Sequence, residues 1–162
     1  MTQDSTIKVI VADDHAVVRQ GIIKILATSN RIELLGEAES GDQAWLLIKD
    51  LNPDVALLDI RMPEMTGIEI ITEINSAKLG TKSLILTNYD NPDYILEAIS
   101  EGAHGYILKA IDPSSLIKSV IWYPILILVT KVSKSSDSMA SSSWVCASGV
   151  IYGNSSWDDL GT

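Results

Sequence analysis

Five residues spread along the chain carry side chains that could do chemistry together: Asp13, Asp14, Asp59, Thr87 and Lys109. Each lies at or near the end of a short apolar run. "IKVIVAD" (7–13) runs into the acidic pair, "DVALLDI" (54–60) holds Asp59, "SLILTNY" (83–89) holds Thr87, and "GYILK" (105–109) ends in the lysine. A carboxylate, a hydroxyl and an ammonium together suit the handling of a phosphoryl group. The carboxylate is already ionised at neutral pH, so it needs no general base to attack phosphorus. The ammonium neutralises charge on the phosphoryl oxygens, and the hydroxyl donates to one of them. Three carboxylates in one crevice repel each other, and a hard divalent cation relieves the repulsion. Mg²⁺ fits, because it takes few carboxylates and keeps positions for water or a phosphoryl oxygen. Taken singly, each residue has a plainer reading. An Asp after a strand often caps the next helix, as Asp14 would for a helix beginning near His15, and a terminal Lys is usually a solvated charge. Their joint occurrence is what points to a site.

The elements that must position these residues follow from the hydropathy pattern. The four runs above and "IELLGEA" (32–38) read as strands, and the first, third and fourth of the five are nearly continuous apolar runs, as in strands covered on both faces. Between them lie helical stripes: Val18, Ile22, Ile25 and Leu26; Ala44, Leu47, Ile48 and Leu51; Gly67, Ile70, Ile71 and Ile74; Ile95, Ala98 and Ile99. Asp112-Pro113 starts a fifth helix, with Asp as cap and Pro in the first helical position, and Leu116, Ile117, Val120 and Ile121 follow on one face. Alternation of this kind gives an α/β fold, a doubly wound five-stranded parallel sheet with helices on both faces. Ligands on such sheets bind outside the carboxyl ends of the strands, which is where the five residues lie.

Composition narrows the functions. Hydrophobic residues make up 46% and charged residues 20%, an ordinary globular balance, and Phe is absent, so the core must be largely aliphatic. A net charge of −9 argues against a dominant nucleic-acid surface. A single cysteine, Cys146, excludes an internal disulfide and cysteine-based zinc sites. The start, "MTQDSTIK", lacks a signal-peptide pattern, and the apolar run Val120–Val129 is too short for a bilayer and broken by Pro124. A cytoplasmic protein with no membrane contact is expected.

"VADDHAVVRQGI", "DVALLDIRMPEMTGIEII", "ILTNYD" and "GAHGYILKA" resemble the response-regulator receiver domains of bacterial two-component signalling, in the subfamily that usually carries a LuxR-type helix-turn-helix. The resemblance runs from about Ile7 to Val120. It implies a flavodoxin-like sheet with strand order 2-1-3-4-5 and a phosphorelay role, with a sensor histidine kinase as partner and phosphohistidine as donor. Carried over by position, Asp59 is the phosphoacceptor. Asp14 and Asp59 bind Mg²⁺ with the backbone carbonyl of Arg61, and Asp13 does so mainly through water. Lys109 pairs with Asp59 at rest and with the phosphate afterwards. Thr87 moves toward the phosphate, and Tyr106 rotates inward behind it. This alters the face of the fourth helix, fifth strand and fifth helix, a surface available for homodimerisation. Such a domain phosphorylates itself and slowly loses the phosphate, but turns over no separate substrate. His15 and His104 read as surface residues, His104 as solvated in a turn, and Trp45 as partly exposed.

The receiver is expected over residues 5–122, followed by an atypical tail over 123–162. The tail is serine-rich, shows neither helical stripe nor β-α alternation, and holds only Lys131 and Lys134 as positive charges. No basic recognition helix is present there, so direct DNA binding is not expected. The abrupt change of pattern suggests a truncated or frame-shifted product, with a poorly ordered serine-rich stretch and an aggregation-prone "ILILV". Two other functions compete. One is a DNA-binding transcriptional regulator, as in full-length relatives. The other is a Mg²⁺-dependent phosphatase passing through an aspartyl phosphate. Such phosphatases commonly place a second Asp two residues after the nucleophile, and here that position is Arg61.

Overall fold

The structure, a computed structural model, describes residues 5–88, 92–122, 143–145 and 150–153. Strands β1 (Ile7–Ala12), β2 (Ile32–Ala38), β3 (Val55–Asp59), β4 (Lys82–Thr87) and β5 (Gly105–Leu108) alternate with helices α1 (Ala16–Leu26), α2 (Gly41–Leu51), α3 (Gly67–Ser76), α4 (Pro92–Ser100) and α5 (Pro113–Trp122). The five strands pair in parallel in the order β2-β1-β3-β4-β5. This is the expected flavodoxin-like sheet.

Alternation along the strands splits the core into two layers. Ile10, Ala12, Ala56, Leu58, Ile85 and Tyr106 face one side, where Ala44 and Ile48 of α2, Ile70, Ile71 and Ile74 of α3 and Ala98 of α4 cover them. Val9, Val11, Val55, Leu57, Leu84, Leu86 and Ile107 face the other, under Ile22 and Leu26 of α1 and Leu116, Val120 and Ile121 of α5. Burial of both faces is why these strands read as continuous apolar runs. The stripe of α2 is narrower than its sequence pattern, since Leu51 remains 41% exposed at the helix end.

Local chemistry fixes the helix ends. Thr66 and Glu69 form a reciprocal capping box at the start of α3. Ser40 caps α2, which stops at Asn52 in the left-handed region. Asp112 accepts the Ser115 N–H at 3.0 Å, so the Asp-Pro start of α5 forms as read. Asp14 is not the cap of α1. That position falls to His15, and its side chain makes no capping bond.

Beyond the expected five strands, β6 (Ser143–Val145) and β7 (Val150–Gly153) lie in the tail. They form an antiparallel pair, and β7 runs antiparallel along β5, opposing Ile151 to Tyr106, so the full order is β2-β1-β3-β4-β5-β7-β6. No strand pattern is legible there from residue order alone, because a short strand with few partners carries little periodicity. The "ILILV" run and nearly all of the serine-rich stretch lie outside the described residues. No helix among the described residues is long and apolar enough to cross a membrane.

Helix α3 starts directly against the carboxyl end of β3. The Gly67 N–H donates to the Ile60 carbonyl at 3.0 Å. A Cβ at Gly67 would stand 2.3 Å from the Asp59 carbonyl oxygen, so only glycine allows this approach. Gly67→Ala is therefore expected to cost about 1–3 kcal/mol. Urea unfolding checks this, and an unchanged midpoint would contradict the packing described here.

Candidate functional site

The parallel order brings the carboxyl ends of β1, β3, β4 and β5 together, and the five residues singled out in the sequence meet there. Asp13 follows β1 and Asp59 closes β3. Thr87 closes β4, and Lys109 follows β5. Asp13, Asp59 and Thr87 are buried, while Asp14 is exposed at the rim. Backbone bonds fix these positions. The Asp13 N–H donates to the Ala38 carbonyl at 3.1 Å, and the Lys109 N–H donates to the Thr87 carbonyl at 2.8 Å. The second bond continues the β4–β5 ladder past its last pair and sets the lysine beside the threonine.

The lysine reaches back across the sheet to the acids. Its Nζ lies 2.5 Å from Asp13 Oδ2 and 3.3 Å from Asp59 Oδ1, with the lysine side chain only 5% exposed. Asp59 Oδ1 also accepts the Ile60 N–H at 3.0 Å. Asp13 Oδ1 accepts the His15 N–H at 2.9 Å. Asp13 Oδ2 has the buried Lys109 ammonium as its partner.

One ligand atom from each of Asp13, Asp14, His15 and Asp59 lies within 4.8 Å of the others, a spread that a single cation could bridge. The carboxylate oxygens suit a hard cation such as Mg²⁺. His15, read from the sequence as a surface residue, is indeed exposed, yet its Nδ1 sits 2.8 Å from Asp14 Oδ1 and 3.4 Å from Asp13 Oδ1. Arg19 also belongs to the surroundings and was missed in the sequence. Its Nη1 donates to the Asp13 carbonyl at 2.6 Å, and its Nε pairs with Glu37 at 2.7 Å. An arginine in the second turn of an amphipathic helix gives no signal that it will reach a neighbouring loop.

Tyr106 is fully buried among the residues facing α2, α3 and α4, so the inward side-chain position is the one this structure holds. Arg61 follows Asp59 in the β3–α3 loop, and its guanidinium donates to the Tyr94 hydroxyl at 2.6 Å. His104 corrects the sequence reading. It is partly buried at the opposite end of the sheet, where Nδ1 accepts the Ser83 N–H at 3.2 Å. Burial first, then the Lys82 charge, pushes its pKa down to about 4. It acts there as a neutral acceptor for a strand N–H. Trp45 is half-buried, as expected, with Lys49 5.1 Å from its ring centre.

This fold, with a triad of acids, a hydroxyl and a lysine at the carboxyl ends of its strands, defines the receiver class of α/β domains. Residues 9–121 match the response regulator receiver domain family, and the chain belongs to it. It is 37% identical over 119 residues to NarL of Mycobacterium tuberculosis, designated a transcriptional regulatory protein, covering 74% of this chain and 55% of that one. It is 38% identical over 114 residues to the DNA-binding transcriptional activator DevR/DosR of the same species, covering 70% of this chain and 52% of the activator. The chain thus spans about half the length of the curated relatives it matches. Among solved structures, the signal receiver domain of NarL from Mycobacterium tuberculosis superposes with a TM-score of 0.71 at 37% identity, covering 72% of this chain and 94% of that one. A LuxR-family DNA-binding response regulator from Staphylococcus aureus gives 0.70 at 31% identity, covering 72% and 98%.

Burial, reinforced by Asp13 and Asp14 and opposed by Lys109, pushes the Asp59 carboxyl from 3.8 up to about 6. The folded state therefore holds this proton more tightly than the unfolded chain does. The resulting stability is present in full below about pH 4 and is lost as pH rises through about 6. At neutral pH the ionised carboxylate burdens the fold. In Mg²⁺-free buffer at pH 7, Asp59→Asn should stabilise the domain by about 1–2 kcal/mol, and the gain should vanish near pH 4. Urea unfolding at the two pH values tests this. An Asn variant less stable than the parent at pH 7 would contradict it.

Proposed function

We propose that this chain is a phospho-accepting receiver of a two-component phosphorelay, in which Asp59 takes a phosphoryl group from a phosphohistidine on a sensor histidine kinase. The observation that carries the reading is the Asp59 carboxylate itself. It is buried at the end of β3, is held by the Ile60 N–H, lies 3.3 Å from Lys109, and shares one cation-sized space with two further carboxylates. A carboxylate held above its ordinary pKa by burial is destabilised as an anion, and modification that gives its charge new partners relieves that state.

In this reading an Asp59 oxygen forms the new bond to phosphorus as the bond to the imidazole nitrogen breaks. Lys109 pairs with Asp59 beforehand and with the phosphoryl oxygens afterwards. The Thr87 hydroxyl donates to one of those oxygens, and Tyr106 packs behind it. Asp13, Asp14 and Asp59, with the Arg61 carbonyl, would hold Mg²⁺. When bound, the cation supplies neutralisation of phosphoryl charge. The convergence of one ligand atom from each of Asp13, Asp14 and Asp59 supports that role. The domain would return slowly to its resting state by losing the phosphate and would act on no separate substrate. Position 61 carries Arg where a phosphatase would place its second carboxylate.

The receiver unit in this proposal covers residues 5–122, with 123–162 as an appendage whose β7 lines the edge of β5. Self-association through the α4–β5–α5 face would then use the helix surfaces. The relatives' names support a place upstream of transcription. Direct DNA contact is not proposed for a chain of net charge −9 whose residues 123–162 hold only Lys131 and Lys134 as positive charges. A cytoplasmic location fits a kinase-coupled role.

Incubation with a small-molecule phosphodonor should add one phosphate to the intact mass, only with Mg²⁺ present, and Asp59→Ala should abolish the gain. A folded sample that gains no phosphate, or one in which Asp59→Ala keeps the gain, would overturn the proposal.

A further inference from the structure

Between the acidic site and α4 lies a residue adjoining the first in the chain and contacting the second through its side chain. Arg61 stands in the β3–α3 loop, two positions after Asp59. Its side chain leaves the site and grips Tyr94 in the first turn of α4. The guanidinium donates to the Tyr94 hydroxyl at 2.6 Å and stands 5.5 Å from the ring centre, so one side chain engages both the polar and the aromatic part of the tyrosine.

The main chain before Arg61 is held tightly. Ile60 is 4% exposed. Its N–H donates to Asp59 Oδ1 at 3.0 Å, and its carbonyl accepts the Gly67 N–H at 3.0 Å. A change of charge on the Asp59 oxygen alters the bond from Ile60. Ile60 is bonded to α3 on its other side, Arg61 is the next residue along the loop, and the Arg61 side chain ends on Tyr94 of α4.

Resting on the receiver reading above, we propose that Arg61 is a positioning residue that couples occupancy of the acidic site to the placement of α4 through Tyr94. This route is separate from the one through Thr87 and Tyr106, since it runs along the β3–α3 loop and enters α4 at its first turn. Two states of the site that differ in charge at Asp59 would hold Arg61 differently, and the difference is what biases the helix.

The test is hydrogen–deuterium exchange of residues 92–100 in the full chain, with and without Mg²⁺ and after incubation with a small-molecule phosphodonor. The samples are the parent, Tyr94→Leu, Arg61→Met and the double variant. Tyr94→Leu leaves every proposed cation ligand in place. Mg²⁺ should slow exchange in α4 of the parent, and Tyr94→Leu should remove about half of that effect or more, with no further loss in the double variant relative to Arg61→Met. Intact mass on the same samples reads the phosphate separately. A missing phosphate with an intact Mg²⁺ response in α4 counts against the receiver reading alone. An α4 response to Mg²⁺ that is unchanged in Tyr94→Leu, or absent in the parent, overturns the coupling.

Discussion

The site depends on one ammonium shared between two buried carboxylates. Lys109 sits 2.5 Å from Asp13 and 3.3 Å from Asp59, and all three side chains are nearly excluded from water. Burying two anions with one cation leaves the group short of positive charge, with Asp14 close by at the rim. Isolated buried charges are expensive, so such a cluster persists only where the surrounding fold imposes it. Here the imposing elements are the carboxyl ends of β1, β3 and β5, whose interior faces are locked by aliphatic packing on both sides of the sheet.

The same shortage of charge explains how the site can respond to a ligand. An Asp59 carboxyl whose pKa burial raises to about 6, beside a second buried carboxylate that shares its one ammonium, has free energy to release on gaining a further positive partner. The release need not stay local. Lys109 is tied through its N–H to the Thr87 carbonyl, and Asp59 through Ile60 to the loop that carries Arg61. Each tie leads toward α4 or β5, elements on one side of the molecule. In the proposed reading, a small change in charge at the strand ends would reach a surface along these ties.

Much of this was legible in the sequence because the relevant signals are local. The continuous apolar runs at 7–12 and 55–58 required strands buried on both faces, and alternation with helical stripes required a parallel sheet. Once the sheet is parallel, Asp13, Asp59, Thr87 and Lys109 must converge. What stayed hidden are contacts made by long side chains across sequence distance. Arg19 reaches the Asp13 carbonyl, Arg61 reaches Tyr94, and His104 bonds to the Ser83 N–H. Periodicity places a residue on a face but does not say how far a flexible side chain extends or what it meets. His104 looked solvated because glycines flank its turn, yet the turn folds back against β4. The pairing of β7 with β5 was hidden for a related reason, since strand pairing is a property of two segments and neither alone announces it.

The central claim is that the acidic cluster is short of one divalent cation. Thermal unfolding at pH 7, with Mg²⁺ against NaCl of matched ionic strength, tests it on the parent and on Asp14→Asn. The account predicts that Mg²⁺ raises the parent's midpoint, by about 2.7 kcal/mol in stability at a hundredfold excess over its dissociation constant, and that Asp14→Asn loses most of this gain. No Mg²⁺-specific shift in the parent, or an equal shift in both proteins, would contradict it.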